Sequence, residues 1–287
     1  MRDWQRAAVV DLLVECTRIA LEHYERPRRE LKDDLSLVTD ADRAVEQRMA
    51  RSLDRPEDGS WMIGEETIAR RGEDYIGAAF GGTAWVVDPI DGTAPYAHHV
   101  PTWGISIGFM RRGVLEEGAI ILPATGELYV SDGPEVYTGT SSEERGWDYA
   151  DLSPMRVSPR PIDDGGMICL DQKSVRGMLI RKPNPLQALC CAVMPMAYLC
   201  LGRYAAYVGR VKLWDAAGGL PLLLKCGLVA RTLGGDPLDG RVDEEHWHLA
   251  ADDPGRWLMK EPAVFAADDE SARRAAALLE SVKPRTG

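Results

Sequence analysis

Four short β-prone segments lie close together in the first half of the chain: Ala84-Trp85-Val86-Val87, Gly104-Ile105-Ser106-Ile107-Gly108-Phe109, Ala119-Ile120-Ile121-Leu122 and Glu127-Leu128-Tyr129-Val130. With the Pro123 turn between the last two, they predict an antiparallel sheet with meander connections. Helical patterns flank this series. From Trp4 to Tyr24, apolar residues fall at Val9, Leu12, Leu13, Cys16, Ile19 and Ala20, one face of an amphipathic helix that Pro27 stops. Thr39, followed at the third position by Asp42 and then by Val45 and Met49, starts a second helix that should end near Leu53. In the second half, Leu186 to Leu201, Ala216 to Leu224 and Asp268 to Val282 read as helices. The polar, proline-punctuated stretch from Gly139 to Pro161 reads as the internal loop or subdomain boundary. No repeats or low-complexity tail interrupt the pattern.

At 287 residues, with 45% apolar and 28% charged side chains, the chain can bury a core as one large domain or two tightly packed ones. A net charge of -11 repels polyanions and anionic surfaces, which argues against nucleic acid and membrane partners. The longest nearly apolar run, Ala188 to Gly202, is interrupted by Pro195 and falls short of the roughly 20 residues a span needs. Met1-Arg2-Asp3-Trp4 shows no signal-peptide pattern, so a cytoplasmic location is expected. The 6 cysteines show no CxxC spacing and read as reduced, buried thiols.

Three acidic clusters each end an apolar segment: Gly64-Glu65-Glu66-Thr67, Asp88-Pro89-Ile90-Asp91-Gly92-Thr93 and Trp214-Asp215-Ala216-Ala217-Gly218. In the middle cluster a hydrophobic strand delivers Asp88 into a Pro/Gly turn, with Asp91 and Thr93 just beyond. Two carboxylates and a hydroxyl at one strand end suit a hard cation such as Mg²⁺, and a bridging carboxylate lets two such ions clamp a phosphate. A helix beginning after Thr93 would aim its free N–H groups at the same place. The same residues also make a common turn. Asp42 fits a capping box, Asp215 an N-cap, and Glu65 and Glu66 solvated loop charges. His98 and His99 lack further histidines at ligand spacing, and Cys190-Cys191 fits core packing.

The order and spacing of the clusters resemble the inositol monophosphatase family: Mg²⁺-dependent, lithium-sensitive phosphomonoesterases that include bacterial fructose-1,6-bisphosphatases and 3'-phosphonucleotide phosphatases. The matching segments are Lys32 ahead of Leu37-Val38-Thr39-Asp40-Ala41-Asp42 with Glu46, then Ile63-Gly64-Glu65-Glu66, Asp88 to Thr93, and Trp214 to Gly218. Tyr96-Ala97-His98-His99-Val100-Pro101 and Ile105-Ser106-Ile107-Gly108 follow the family's extension of the central motif. The resemblance implies an α+β fold, a layered α-β-α-β-α sandwich of two halves, 1–150 and 151–287, with the site in the cleft between them. It implies that Glu65, Asp88 and the Ile90 carbonyl bind one Mg²⁺, that Asp88, Asp91 and Asp215 bind a second, and that a third, weaker ion uses Glu65. Asp42 and Thr93, with Glu65, serve the attacking water. The Gly92 and Thr93 N–H groups hold the phosphate, and Lys32 and Glu66 stand behind the ligands. The expected partner is a small-molecule phosphate ester, and a homodimer is expected.

The specificity half departs from the family pattern. Cys190-Cys191-Ala192-Val193 stands where Gly-Ser-Ala-Ala is usual, and Ala205-Ala206-Tyr207-Val208-Gly209 replaces Asp-Ala-Tyr-x-Glu, whose Glu grips substrate hydroxyls. Cys190, Ala192, Gly209, Arg210 and Lys212 are therefore expected to meet the substrate, with Gly209 leaving the hydroxyl clamp absent and the two cations suiting an anionic group. The expected activity is hydrolysis of a phosphorylated sugar, polyol or cyclitol other than myo-inositol 1-phosphate. A bisphosphate phosphatase and a phospho-ligand-binding protein that retains the fold are the alternatives.

Overall fold

A computed structural model describes residues 1–32, 36–180 and 184–281. Its larger sheet has seven strands in the order Ser60–Gly64, Thr83–Asp91, Gly104–Arg111, Val114–Leu122, Glu127–Asp132, Glu135–Thr140 and Ser153–Pro154. The first pair is parallel and every later pair antiparallel, so the predicted meander is present and extends by one strand on one side and two on the other. Alternation along Thr83–Asp91 separates two cores. Trp85 and Val87 join the helices Arg6–Tyr24 and Asp40–Leu53 on one face, while Ala84 and Val86 face helices of the second half on the other.

The second sheet has five strands, ordered Leu186–Ala188, Ile168–Leu170, Ala206–Gly209, Ala263–Ala266 and Val229–Thr232. Between the sheets lie the short helices Val193–Cys200, Leu213–Ala217 and Gly219–Lys225, packed with Tyr207 and Phe265 on one side and Ile120 and Met110 on the other. Beyond the second sheet, Ala272 and Ala275 of the helix Asp269–Leu278 cover Val208 and Val264. Helix pair, sheet, helices, sheet, helix is the α-β-α-β-α order expected. No helix among the described residues is long and apolar enough to cross a membrane.

Five expectations change. The helix expected from Leu186 begins only at Val193, because Leu186–Ala188 instead pairs in parallel with Ile168–Leu170 at the sheet edge. Ala216 to Leu224 is divided between two helices that meet at Gly218. The closing helix ends at Leu278, where an extended Leu279 turns the chain into a strand paired with Met178–Ile180, and Val282 lies outside the described residues. Within 139–161, Trp147 and Tyr149 are buried in the first core and Ser153–Pro154 forms the sheet's last strand, so this stretch is more than a loop. Among the cysteines Cys190 is exposed and Cys226 half-buried, against the expectation of buried thiols; the other four are buried, and no disulfide forms among the described residues.

Candidate active site

Asp88 and Asp91 are three positions apart, an odd spacing that would place them on opposite faces of a regular strand. The register against Gly104–Arg111 shifts between them: Asp88 faces Ser106 and Asp91 faces Gly104. This extra residue is a β-bulge, which turns both carboxylates toward one point. Asp215, third residue of Leu213–Ala217, joins them, and ligand atoms of Asp88, Asp91 and Asp215 lie within 4.8 Å of one another. Its Oδ2 also accepts from the Lys212 N–H at 2.8 Å, so it sits inside the first helical turn rather than at the N-cap.

Each carboxylate is fastened. Asp88 Oδ1 accepts from the Ile90 N–H at 3.1 Å. Asp91 Oδ2 accepts from the Ala192 and Val193 N–H groups at 2.7 and 2.6 Å, and from the Cys191 thiol at 3.2 Å. These donors open the helix Val193–Cys200, whose first N–H groups have no partner inside the helix. Ala192 thus lines the cleft, but its N–H is engaged by Asp91.

Burial and mutual repulsion dominate the electrostatics. Burial first, then the charges of Glu65, Asp91 and Asp215, pushes Asp88 well above the usual carboxylate range. Burial likewise raises Asp91 to about 6, despite the N–H groups that oppose it, and Asp215 to about 7. Three carboxylates gathered this closely in a buried place, a cluster that holds no Cys or His ligand among the described residues, fit a hard divalent cation.

Glu65 lies on the turn after Ser60–Gly64. Lys32 Nζ is 3.1 Å from Glu65 Oε1 and 2.6 Å from Glu66 Oε1, and Lys212 Nζ is 3.9 Å from Glu65 Oε1. Burial, then the Glu65 charge, raises Glu66 to about 7 even with Lys32 beside it. Glu46 holds this turn: its Oε2 accepts from the Glu66 N–H at 2.8 Å and its Oε1 from the Thr67 hydroxyl at 2.5 Å.

Asp42 satisfies two readings at once. Its Oδ2 accepts from the Thr39 N–H at 2.8 Å in a capping box, while Oδ1 is 3.0 Å from the Thr93 hydroxyl. That hydroxyl is also 3.1 Å from the Ile90 carbonyl oxygen. Burial raises Asp42 to about 6, with its hydrogen bonds to Thr39 opposing. The helix expected after Thr93 is present as Thr93–Ala97, entered through Gly92 at φ 91°. A Cβ there would lie 2.9 Å from the Thr102 carbonyl oxygen, so glycine is required for space as well as conformation.

Glu65, Asp88, Asp91, Gly92, Thr93 and Asp215 line a cleft of about 680 Å³, whereas Asp42, Glu46 and Glu66 are not part of its lining. A second hollow of about 600 Å³, between Arg6–Tyr24 and residues 146–152, contains none of the residues singled out from the sequence, so the chemistry belongs to the cleft. Ile90, Cys190, Arg210 and Lys212 also line it. Gly209 does not. Its missing side chain leaves room for the Tyr207 hydroxyl, which a Cβ would approach to 2.7 Å. The Arg210 guanidinium turns away: Nε donates to the Met259 carbonyl at 2.7 Å and a terminal nitrogen lies 3.2 Å from His248 Nε2. Lys212 is directed toward Glu65 and over the Trp214 ring, 5.3 Å from its centroid. Sequence reasoning missed Asp171 and Tyr207, both in the cleft wall. Asp171 ends the apolar trio Ile168-Cys169-Leu170, the same strand-end signal that singled out Asp88.

Residues 4–281 match the model of the inositol monophosphatase family. The chain belongs to this family. Its members are metal-dependent phosphatases, and the protein is a phosphoric monoester hydrolase. It is 26% identical over 239 residues to an inositol-1-monophosphatase of Rhizobium meliloti, covering 77% of this chain and 82% of that one. It is 37% identical to a histidinol-phosphatase of Mycobacterium tuberculosis over 118 residues, 41% of this chain and 42% of that one. A solved IMPase/NADP phosphatase complexed with Mg²⁺ and phosphate shares the fold at TM-score 0.66 and 15% identity, covering 97% of each chain.

Proposed function

We propose that the protein hydrolyses a small phosphorylated alcohol in a Mg²⁺-dependent reaction, by direct attack of water. The observation that carries this is the convergence of Asp88, Asp91 and Asp215 at a buried point beside the Asp42–Thr93 pair. Glu65, Asp88 and the Ile90 carbonyl would hold one ion, and Asp88, Asp91 and Asp215 a second. Bound Mg²⁺ supplies neutralisation of the phosphate charge and activation of water at neutral pH.

The chain's own groups do the rest. The Thr93 hydroxyl orients the attacking water and relays its proton toward Asp42 Oδ1, a carboxylate whose raised proton affinity suits it as acceptor. The Gly92 and Thr93 N–H groups, open at the start of Thr93–Ala97, bind phosphate oxygens. Lys32 and Glu66 hold Glu65 in place, and Glu46 fixes the turn that carries it. The turned-away Arg210 weakens the bisphosphate alternative, because that reading needs a cation at the far end of the substrate. The same reading includes a homodimer in the cytoplasm, testable by gel filtration and fractionation.

Phosphate release from p-nitrophenyl phosphate and myo-inositol 1-phosphate, with Mg²⁺ or with EDTA after exhaustive dialysis, tests the proposal. Activity only with Mg²⁺, depressed by lithium and excess Ca²⁺, is expected. Full activity in EDTA overturns it.

A further inference from the structure

Asp171 and Tyr207 stand on neighbouring strands in one wall of the cleft. Ile168–Leu170 and Ala206–Gly209 run parallel with Cys169 opposite Tyr207, so Asp171 continues that register beside Gly209. A Cβ on Gly209 would lie 3.2 Å from the Asp171 Cβ. Asp171 thus stands one strand away from position 209, and unlike Gly209 it lines the cleft.

Asp171 is held but not saturated. Oδ1 accepts from the Ser174 N–H at 2.7 Å and Oδ2 from the Arg210 N–H at 3.0 Å, using about half of a carboxylate's four acceptor sites. Among the described residues no lysine or arginine side chain pairs with it, since Arg210 bonds Met259 and His248 and Lys212 reaches toward Glu65. Beside it, the Tyr207 ring stacks on Phe265 at 5.5 Å between centroids and 16° between planes, which fixes where its hydroxyl stands. Tyr207 is only 1% exposed, yet its hydroxyl has no hydrogen-bond partner among the described residues and the side chain lines the cleft.

We infer that Asp171 and Tyr207 form the subsite that reads the alcohol half of the ester, and that this subsite takes a protonated amine. The inference rests on the phosphatase reading above. A second phosphate would meet the Asp171 carboxylate with like charge. A neutral hydroxyl would be accepted with ordinary hydrogen bonds, whereas an ammonium group would pair with the Asp171 charge and make those bonds charge-assisted, roughly twice as strong. Tyr207 offers its oxygen as a second acceptor at a fixed position.

The test compares kcat/KM for a short series of ω-aminoalkyl phosphates with that for the matching ω-hydroxyalkyl phosphates, with Mg²⁺ at neutral pH and p-nitrophenyl phosphate as reference. The best amine should exceed its hydroxyl partner by about tenfold or more. Asp171→Asn, which keeps the shape and an acceptor oxygen, should bring that ratio close to one, and Tyr207→Phe should lower it by a smaller factor. Because the readout is a ratio, a partly folded variant does not distort it, and the wild-type ratio decides the matter even if Asp171→Asn fails to fold. A wild-type ratio near or below one, or a ratio unchanged in both variants, overturns the inference. If p-nitrophenyl phosphate hydrolysis requires Mg²⁺ while that ratio is one, the phosphatase reading stands alone. If no ester is hydrolysed with Mg²⁺, both fall.

Discussion

The two ends of the cleft are built by different rules. At the acidic end, Asp88, Asp91, Gly92 and Thr93 come from one continuous stretch shaped by the bulge, the αL glycine and the start of a helix, with Asp91 held in addition by the N–H groups of Ala192 and Val193. At the opposite end, Asp171 and Tyr207 come from different strands and meet only through sheet register. Chemistry written into a local segment survives reading one residue at a time. Chemistry distributed across strands does not.

The largest predicted effect tests the acidic end. Asp91→Asn removes a negative ligand and should lower kcat by about a thousandfold or more with the fold retained. Turnover within tenfold of wild type would show that Asp91 does not serve the ions. Thr93→Val, which deletes the hydroxyl beside Asp42, should cost about a hundredfold in kcat with KM little changed. Equal rates would remove Thr93 from the proton path.

A third prediction concerns pH and the melting temperature. In EDTA, Asp91 and Asp215 bind protons more tightly folded, at about 6 and about 7, than in the unfolded chain near the ordinary value of 3.8. The folded state therefore holds more protons, and stability falls as pH rises from about 4 to about 7 and then levels. Mg²⁺ should raise the melting temperature more at pH 8 than at pH 5, and a pH-independent increment would contradict this. The smallest effect probes the other end. Gly209→Glu puts its side chain against the Tyr207 hydroxyl and Asp171, so it should destabilise the protein by about 1–3 kcal/mol and raise KM for myo-inositol 1-phosphate. An improved KM would mean that position 209 is open to substrate after all.

Much of the fold was legible because its signals are local. The heptad-like face of Arg6–Tyr24, the Thr39–Asp42 box and the Pro123 turn each act within a few residues. The apolar run at Leu186 misled for a physical reason: its periodicity suits a helix, but parallel pairing with Ile168–Leu170 takes the backbone first and leaves helix formation to begin where Asp91 receives the N–H groups. Arg210 and Lys212 line the cleft, and where their charged ends go depends on Met259, His248 and Glu65, which lie far away in sequence.

The Asp91 carboxylate has one more consequence. It belongs to the first sheet, yet it grips the opening turn of Val193–Cys200, and Cys190, Cys191 and Ala192 beside that turn line the cleft. An ion drawing on Asp91 and a substrate pressing on residues 190–192 therefore act on the same joint from opposite sides. Thermodynamic reciprocity then requires that whatever factor the alcohol contributes to ion affinity, the ion returns to alcohol affinity.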